Sequence, residues 1–160
     1  VVGSSRTESK LARCTALGLE HPILVREGQF LAELKLAGIK ANVILDTVGA
    51  AYLEQNIRAL APRGRMVVIG LLGGATGTAS LGLLLVKRAT LIGSVLRSRP
   101  LEEKCSLAPS FSQEILPFFE SGRFKAVVDR IFPMAHISQA HALMESNESF
   151  GKIILEWTEE

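Results

Sequence analysis

Residues that could contact a nucleotide through a side chain or the backbone follow short apolar runs at three points of the 160-residue chain. The first is residues 4–7, Ser-Ser-Arg-Thr, with Lys10 close behind; the second is 46–49, Asp-Thr-Val-Gly, and the third is 70–74, Gly-Leu-Leu-Gly-Gly. Guanidinium and hydroxyl groups bind phosphate oxygens, and glycine lets a backbone approach a ligand closely. These segments together predict a site for a nucleotide cofactor.

The elements around residues 41–70 would place two of these segments side by side. Residues 43–45 and 66–69 are apolar throughout, which indicates parallel strands buried on both faces. Residues 51–60 between them are predicted to be a helix that ends at Pro62 and Gly64. Ligands of such sheets bind at the carboxyl ends of the strands, and both segments lie at those ends.

Strands and helices alternate along the rest of the chain. Further strands are predicted at residues 1–3, 22–25, 90–96, 126–132 and 152–157, and further helices at 8–18, 29–36, 81–88 and 137–146. A helical region from Pro100 to Ser121 is expected to be broken into pieces by Pro109 and Pro117. This alternation predicts an α/β fold with a doubly wound parallel sheet, whose first strand is cut at its beginning.

Composition excludes several classes of protein. A net charge of +2, with one Trp and one Tyr, does not fit a nucleic-acid-binding surface. The two cysteines match no zinc spacing, and they fit a reduced, cytoplasmic compartment. Apolar runs such as 81–86 are too short to span a membrane. His136 and His141 do not share a helix face well, so we nominate no metal ligand and no catalytic residue.

Several segments resemble, in order, the medium-chain dehydrogenase/reductase superfamily. They are residues 46–49, 60–65, 69–74 and 93–99, followed by 131–133, 136–141 and 151–155 near the carboxyl end. The resemblance is greatest to the zinc-free quinone oxidoreductase branch, including the tumour-suppressor-inducible quinone oxidoreductases. It implies a Rossmann sheet and hydride transfer from a nicotinamide to a quinone or an enone, in which the cofactor supplies the chemistry.

The sequence also departs from that family. The family's first strand, Gly-rich turn and first helix are not recognisable, because residues 70–74 follow a later strand and lead into a loop. We therefore expect a truncated Rossmann domain at residues 1–124 and no independent turnover. Residues 125–160 are expected to form a strand-helix-strand tail, which in the family packs with the catalytic domain and does not extend the main sheet.

The turn after the first predicted strand bears on the choice of cofactor. An acidic residue there would bind the free 2′-hydroxyl of NAD, and none stands in residues 1–7. Ser4, Ser5, Arg6 and Lys10 favour the 2′-phosphate of NADP(H). The alternative is that Thr7 caps the following helix while Arg6 and Lys10 are solvated.

The resemblance implies the remaining cofactor contacts. The backbone of Val48 and Gly49 would pass close to the cofactor, with Gly49 permitting the approach. Gly70 and Leu71 would lie beside the ribose and nicotinamide. The carboxamide would bind the backbone of Ser94, Val95 and Leu96. The alternative for all of these residues is turn and strand geometry alone.

Asp46 has two interpretations. Its carboxylate either contacts the cofactor or, as we expect, orients residues 47–49 through backbone N–H groups.

The predicted strand 90–96 would be the last strand of the sheet and therefore an exposed edge. The resemblance implies a homodimer joined through it, unless a loop around residues 98–100 covers the edge. Two other functions stay open. The chain could be a non-catalytic, truncated nucleotide-binding or dimerisation module, or part of a zinc-free enoyl or alkenal reductase.

Overall fold

The computed structural model describes residues 1–157, which divide into two compact units, one of them Val1–Ser98 and the other beginning at Arg99. The first unit contains β1 (Val2–Ser5), α1 (Glu8–Ala16), β2 (His21–Leu24), α2 (Leu31–Leu36), β3 (Ala41–Asp46), α3 (Leu53–Ala59), β4 (Leu60–Val68), α4 (Leu81–Lys87) and β5 (Thr90–Gly93). The second contains α5 (Leu101–Glu114), α6 (Leu116–Glu120), β6 (Val128–Pro133), α7 (Ile137–Glu145) and β7 (Lys152–Glu156). Within residues 1–157, no helix is long and apolar enough to cross a membrane.

All the strand pairs are parallel, which confirms the predicted α/β class. The five strands of the first unit form two separately hydrogen-bonded sheets, β1-β2 and β3-β4-β5. In the part of the chain that the structure describes, β1 and β3 each pair with one neighbour only. In the second unit β7 pairs with β6.

The core of the first unit brings these two sheets together through side chains. Buried residues of β2, α2 and α3 and of their flanks form one cluster: Ile23, Val25, Phe30, Leu34 and Ala59. Ile44 of β3 and Tyr52, which precedes α3, pack against it. Apolar contact therefore joins sheets that share no ladder hydrogen bonds.

Lys87, at the end of α4, fixes the carboxyl end of α3. Its ammonium donates to the carbonyls of Ile57 (2.9 Å), Arg58 (2.7 Å) and Leu60. These carbonyls lie where a helix runs out of N–H partners, and a cation there also complements the helix dipole. Burial, with the charges of Lys40 and Arg58 nearby, lowers the pKa of Lys87.

Three predicted boundaries were wrong. The end of the predicted helix 51–60 is confirmed, since α3 ends at Ala59, but β4 begins at Leu60 and not at residue 66, so it contains Pro62 and Gly64. Residues 61–64 form an irregularity in its pairing with β3, in which Arg63 adopts a φ of 62°. Helix α5 continues through Pro109 to Glu114, although Pro109 has no N–H to donate within the helix.

The third wrong boundary is the end of β5. It ends at Gly93, so residues 94–96 follow the strand and are not part of it.

Candidate functional site

Asp46 organises the turn at the carboxyl end of β3. Its side chain is 4% exposed; Oδ1 accepts a hydrogen bond from the Val48 N–H (2.8 Å) and Oδ2 one from the Gly49 N–H (3.0 Å). Both are charge-assisted bonds, which are about twice as strong as neutral ones. The interpretation that Asp46 orients the loop is confirmed.

The loops that follow β3 and β4 are hydrogen-bonded to each other. We call residues 46–50 and 69–74 the loop pair. Its backbone bonds run from N–H to carbonyl as follows: Ile69 to Asp46 (2.8 Å), Leu72 to Thr47 (3.2 Å), Gly73 to Val48 (2.7 Å) and Ala50 to Gly74 (3.0 Å). Two of the segments predicted to bind a cofactor therefore form one connected platform.

Glycines allow the two loops to approach this closely. A Cβ on Gly73 would lie 2.7 Å from Val48 Cγ1, and one on Gly70 would lie 2.8 Å from the Thr47 carbonyl oxygen. Gly49 has a φ of +81°, and its Cβ would lie 2.8 Å from the Gly74 carbonyl oxygen. The missing side chains thus make room for the facing loop. This differs from the expected reason for Gly49, namely space for a ligand, and its contact with a cofactor stays a prediction.

Residues 94–96 continue the same edge of the sheet. The Ser94 N–H donates to the Val68 carbonyl at the end of β4 (2.9 Å), which places this segment beside the end of that strand. Leu71, Val95 and Leu96 have exposed fractions of 54%, 56% and 59%. Exposed apolar side chains at the carboxyl ends of strands are a usual part of the lining of a cofactor cleft.

The predicted phosphate contacts lie on the other sheet of the first unit. Ser4 and Arg6 are exposed, at the carboxyl end of β1. Thr7 occupies the N-cap position of α1, yet its side chain makes no capping bond. Its N–H donates instead to Ser5 Oγ (3.1 Å), so the proposed capping role of the Thr7 hydroxyl was wrong. The Ser5 hydroxyl keeps its own proton for another acceptor.

Sequence reasoning missed Gln55 of α3. Its Oε1 accepts from the N–H groups of Phe30 (3.0 Å) and Leu31 (3.2 Å), and its Nε2 donates to the Gly28 carbonyl (2.8 Å). The partners lie 24 to 27 residues away along the chain, a distance at which no spacing rule applies. Gly28 was the available signal, because glycine favours a tight turn.

A family model described as zinc-binding dehydrogenase matches residues 17–155. Quinone oxidoreductase-like protein 2 of Bos taurus is 26% identical over 157 residues, which are 97% of this chain and 45% of that protein. A 2-haloacrylate reductase of a Burkholderia species is 25% identical over 161 residues, covering 97% of this chain and 47% of the relative. The solved structure of an NAD-dependent alcohol dehydrogenase has a TM-score of 0.80 and 30% identity, over 99% of this chain and 44% of that one.

The chain thus spans less than half the length of the relatives it matches. In residues 1–157 there is no group of three or more His, Cys, Asp or Glu side chains that could hold a metal ion. These residues therefore do not fit the zinc site that the family's description implies. The hydroxyls and guanidinium after β1, together with the apolar strand ends, do fit a dinucleotide.

Proposed function

Since the chain belongs to the zinc-binding dehydrogenase family of the medium-chain dehydrogenase/reductase superfamily, we propose that it is the cofactor-binding portion of an NADPH-dependent quinone or enone oxidoreductase. The observation that carries the proposal is the loop pair, a platform at the carboxyl ends of β3 and β4. A bound nicotinamide supplies the hydride. The residues of this chain hold and orient it, and turnover is assigned to the longer protein.

In this proposal the nicotinamide half of the cofactor lies against the loop pair. The backbone of Val48, Gly49 and Gly70 lines it, and Leu71 packs on the ring. Backbone groups of residues 94–96 bind the carboxamide, while Val95 and Leu96 exclude water from that side. The support is that Asp46 and the hydrogen bonds between the two loops hold residues 48, 49, 70 and 71 in place before any ligand arrives, while the Ser94 N–H is bonded to the end of β4.

The adenosine half is assigned to the end of β1, where we propose that Arg6 binds the 2′-phosphate. Ser4, Ser5 and Lys10 add donors, and no carboxylate in residues 1–7 opposes an anion. Arg6 is exposed, so its removal should leave the packing of the unit unchanged. NADH is the competing cofactor, since one protein of similar structure bears the name of an NAD-dependent enzyme.

The test is calorimetric titration of NADPH and NADH against this chain and its Arg6→Ala variant. Losing a charged hydrogen-bonded pair costs about 1.5–3 kcal/mol, or roughly ten- to a hundredfold in NADPH affinity. NADH affinity should change little. Arg65→Ala is the matched control. Arg65 pairs with Thr90, the first residue of β5, and so lies at the end of the sheet away from the proposed site. An equal loss for both cofactors refutes the 2′-phosphate contact, and no binding of either refutes the proposed function.

A non-catalytic dimerisation module is the second candidate. It is favoured by β5, whose four residues are all exposed and which pairs with β4 only, within residues 1–157. The strand carries no charge and no proline, so it invites pairing with a second copy of the chain. Ile92→Glu should then convert a dimer to a monomer in light scattering, and an unchanged dimer counts against this edge.

The third candidate is a zinc-free enoyl or alkenal reductase, which is favoured by the relative named 2-haloacrylate reductase. An activated alkene and a quinone both accept hydride from the nicotinamide. Assays of the longer protein with each acceptor therefore separate these two candidates.

We further propose a nucleotide-binding domain at residues 1–124, a tail at 125–160 and a cytoplasmic location. The cysteine content supports that location.

A further inference from the structure

Residues 26–29, at the carboxyl end of β2, form a strained turn. Glu27 has a φ of 51° and Gly28 a φ of 75°, and the Gln29 N–H donates to the Arg26 carbonyl (2.8 Å). Two successive positive φ angles are the signature of a type I′ turn, which favours Asn or Gly at the first position. Glu27 is neither, so the surrounding structure must hold the turn in this conformation.

Gln55 is the side chain that holds it. Its amide spans the turn, since it donates to the Gly28 carbonyl and accepts from the N–H groups of Phe30 and Leu31 at the start of α2. One helix turn earlier, the ring of Tyr52 packs on that of Phe30, with 4.9 Å between centroids. These hydrogen bonds and this ring contact join the turn to α3, which lies between β3 and β4 in the chain.

The position of this turn connects it to the proposed adenosine site. The Val25 N–H donates to the Ser5 carbonyl (2.8 Å), so the chain enters the turn directly beside the end of β1. The segment that leads into α3 begins at Gly49 of the loop pair. Gln55 thus links the loop beside Ser5 to the segment that starts at the other half of the proposed cofactor site. The two sheets that carry these halves share no ladder hydrogen bonds.

We propose that Gln55 is a positioning residue that holds the 26–29 turn against the adenosine half of a bound dinucleotide. This inference rests on the proposed function. Gln55 acts through the turn and does not itself contact the cofactor. Its removal should release the turn, relax Glu27 out of the left-handed region and weaken the adenosine contacts. The nicotinamide contacts at the loop pair should remain, because Asp46 holds them independently.

The experiment compares Gln55→Leu and Gln55→Glu with wild type. Leucine removes all three hydrogen bonds, whereas glutamate keeps the acceptors for Phe30 and Leu31 and loses the donor to Gly28. Gln113→Leu is the matched control, because Gln113 is exposed on α5. Amide exchange at Phe30 and Leu31 is measured by NMR, and binding of adenosine 2′,5′-bisphosphate and of nicotinamide mononucleotide by calorimetry.

In the Gln55→Leu chain, exchange at the two amides should rise about tenfold and affinity for the bisphosphate should fall about tenfold, with mononucleotide affinity changed less than about twofold. Gln55→Glu should show smaller changes. Adding Glu27→Gly to Gln55→Leu should restore part of the lost affinity, since glycine accepts positive φ.

If amide exchange is unchanged in both variants, Gln55 does not hold the 26–29 turn, and the proposal is overturned whatever the affinities for the two ligands. An equal loss for both ligands overturns the positioning role, because general destabilisation explains it. If wild type binds neither ligand while exchange responds to Gln55, the proposed function fails and the positioning role fails with it.

Discussion

Replacing Gly73 by alanine tests how tightly the loop pair is fitted. The added Cβ would lie 2.7 Å from Val48 Cγ1 and 2.9 Å from Ala51 Cβ, whereas carbon atoms in contact prefer about 3.5–4.0 Å. Gly73 is not among the glycines with positive φ, so no left-handed backbone strain adds to the clash. Overpacking of this kind costs about 1–3 kcal/mol. We expect the free energy of unfolding to fall by about 2 kcal/mol.

A second substitution distinguishes the clash from a general loss. Val48→Ala removes Cγ1, so it should restore part of the stability lost in Gly73→Ala, with a coupling of about 1 kcal/mol. Gly70→Ala should show no such coupling, because its added Cβ would meet the carbonyl oxygen of Thr47, a backbone atom that no substitution trims. Two glycines of the same loop should therefore respond differently to Val48→Ala, because one faces a side chain and the other faces backbone.

Urea unfolding, monitored by circular dichroism, measures both effects. With a slope of about 2 kcal/mol per molar urea, the Gly73→Ala midpoint should fall by about 1 M. Gly82→Ala is the control, because Gly82 lies inside α4 and the nearest side-chain atom, Ser80 Oγ, is 3.9 Å from the added Cβ. It should raise stability by about 0.5–1 kcal/mol. An unchanged midpoint for Gly73→Ala, or no recovery with Val48→Ala, refutes the interlocked loops.

Three other substitutions should change stability in defined directions. Asp46→Asn leaves one loop N–H facing an amide donor and should cost about 1.5–3 kcal/mol in urea unfolding, while the exposed control Glu33→Gln should cost less than about 0.5 kcal/mol; equal costs would contradict the assigned role. Lys87→Met removes the donor to three carbonyls and should cost about 2 kcal/mol, and a neutral result would exclude the cap on α3. Asn56→Leu should raise the midpoint by an amount equivalent to about 1 kcal/mol, because Nδ2 is buried without a hydrogen-bond partner in residues 1–157; a lower midpoint would show that the amide is needed.

Local patterns in the sequence were sufficient for the elements and for Asp46. The apolar runs at 43–45 and 66–69 place β3 and β4. The predicted burial on both faces was wrong for β3, because Val43 and Leu45 are 65% and 67% exposed. Asp46 lies two residues before Val48 and three before Gly49, so its carboxylate reaches the N–H groups of both. Such bonds are local, and the spacing of the residues alone predicts them.

Contacts between distant segments were not predictable in this way. Whether Pro109 breaks a helix depends on bonds made by its neighbours, and Gln55 meets residues of another element. Gly70, Gly73 and Gly49 were recognised as special residues, yet their reason lies in the facing loop, which only the folded chain brings near.

The fit between the two loops has a consequence for how this protein could have changed over time. A methyl group on residue 73 would have no room beside the side chains of Val48 and Ala51. A gain in size at residue 73 is therefore tolerated only after a loss at residue 48 or 51, so the order in which substitutions occur is restricted. Among homologous sequences these three positions should therefore vary together in volume, while position 70, which faces backbone, should accept nothing but glycine.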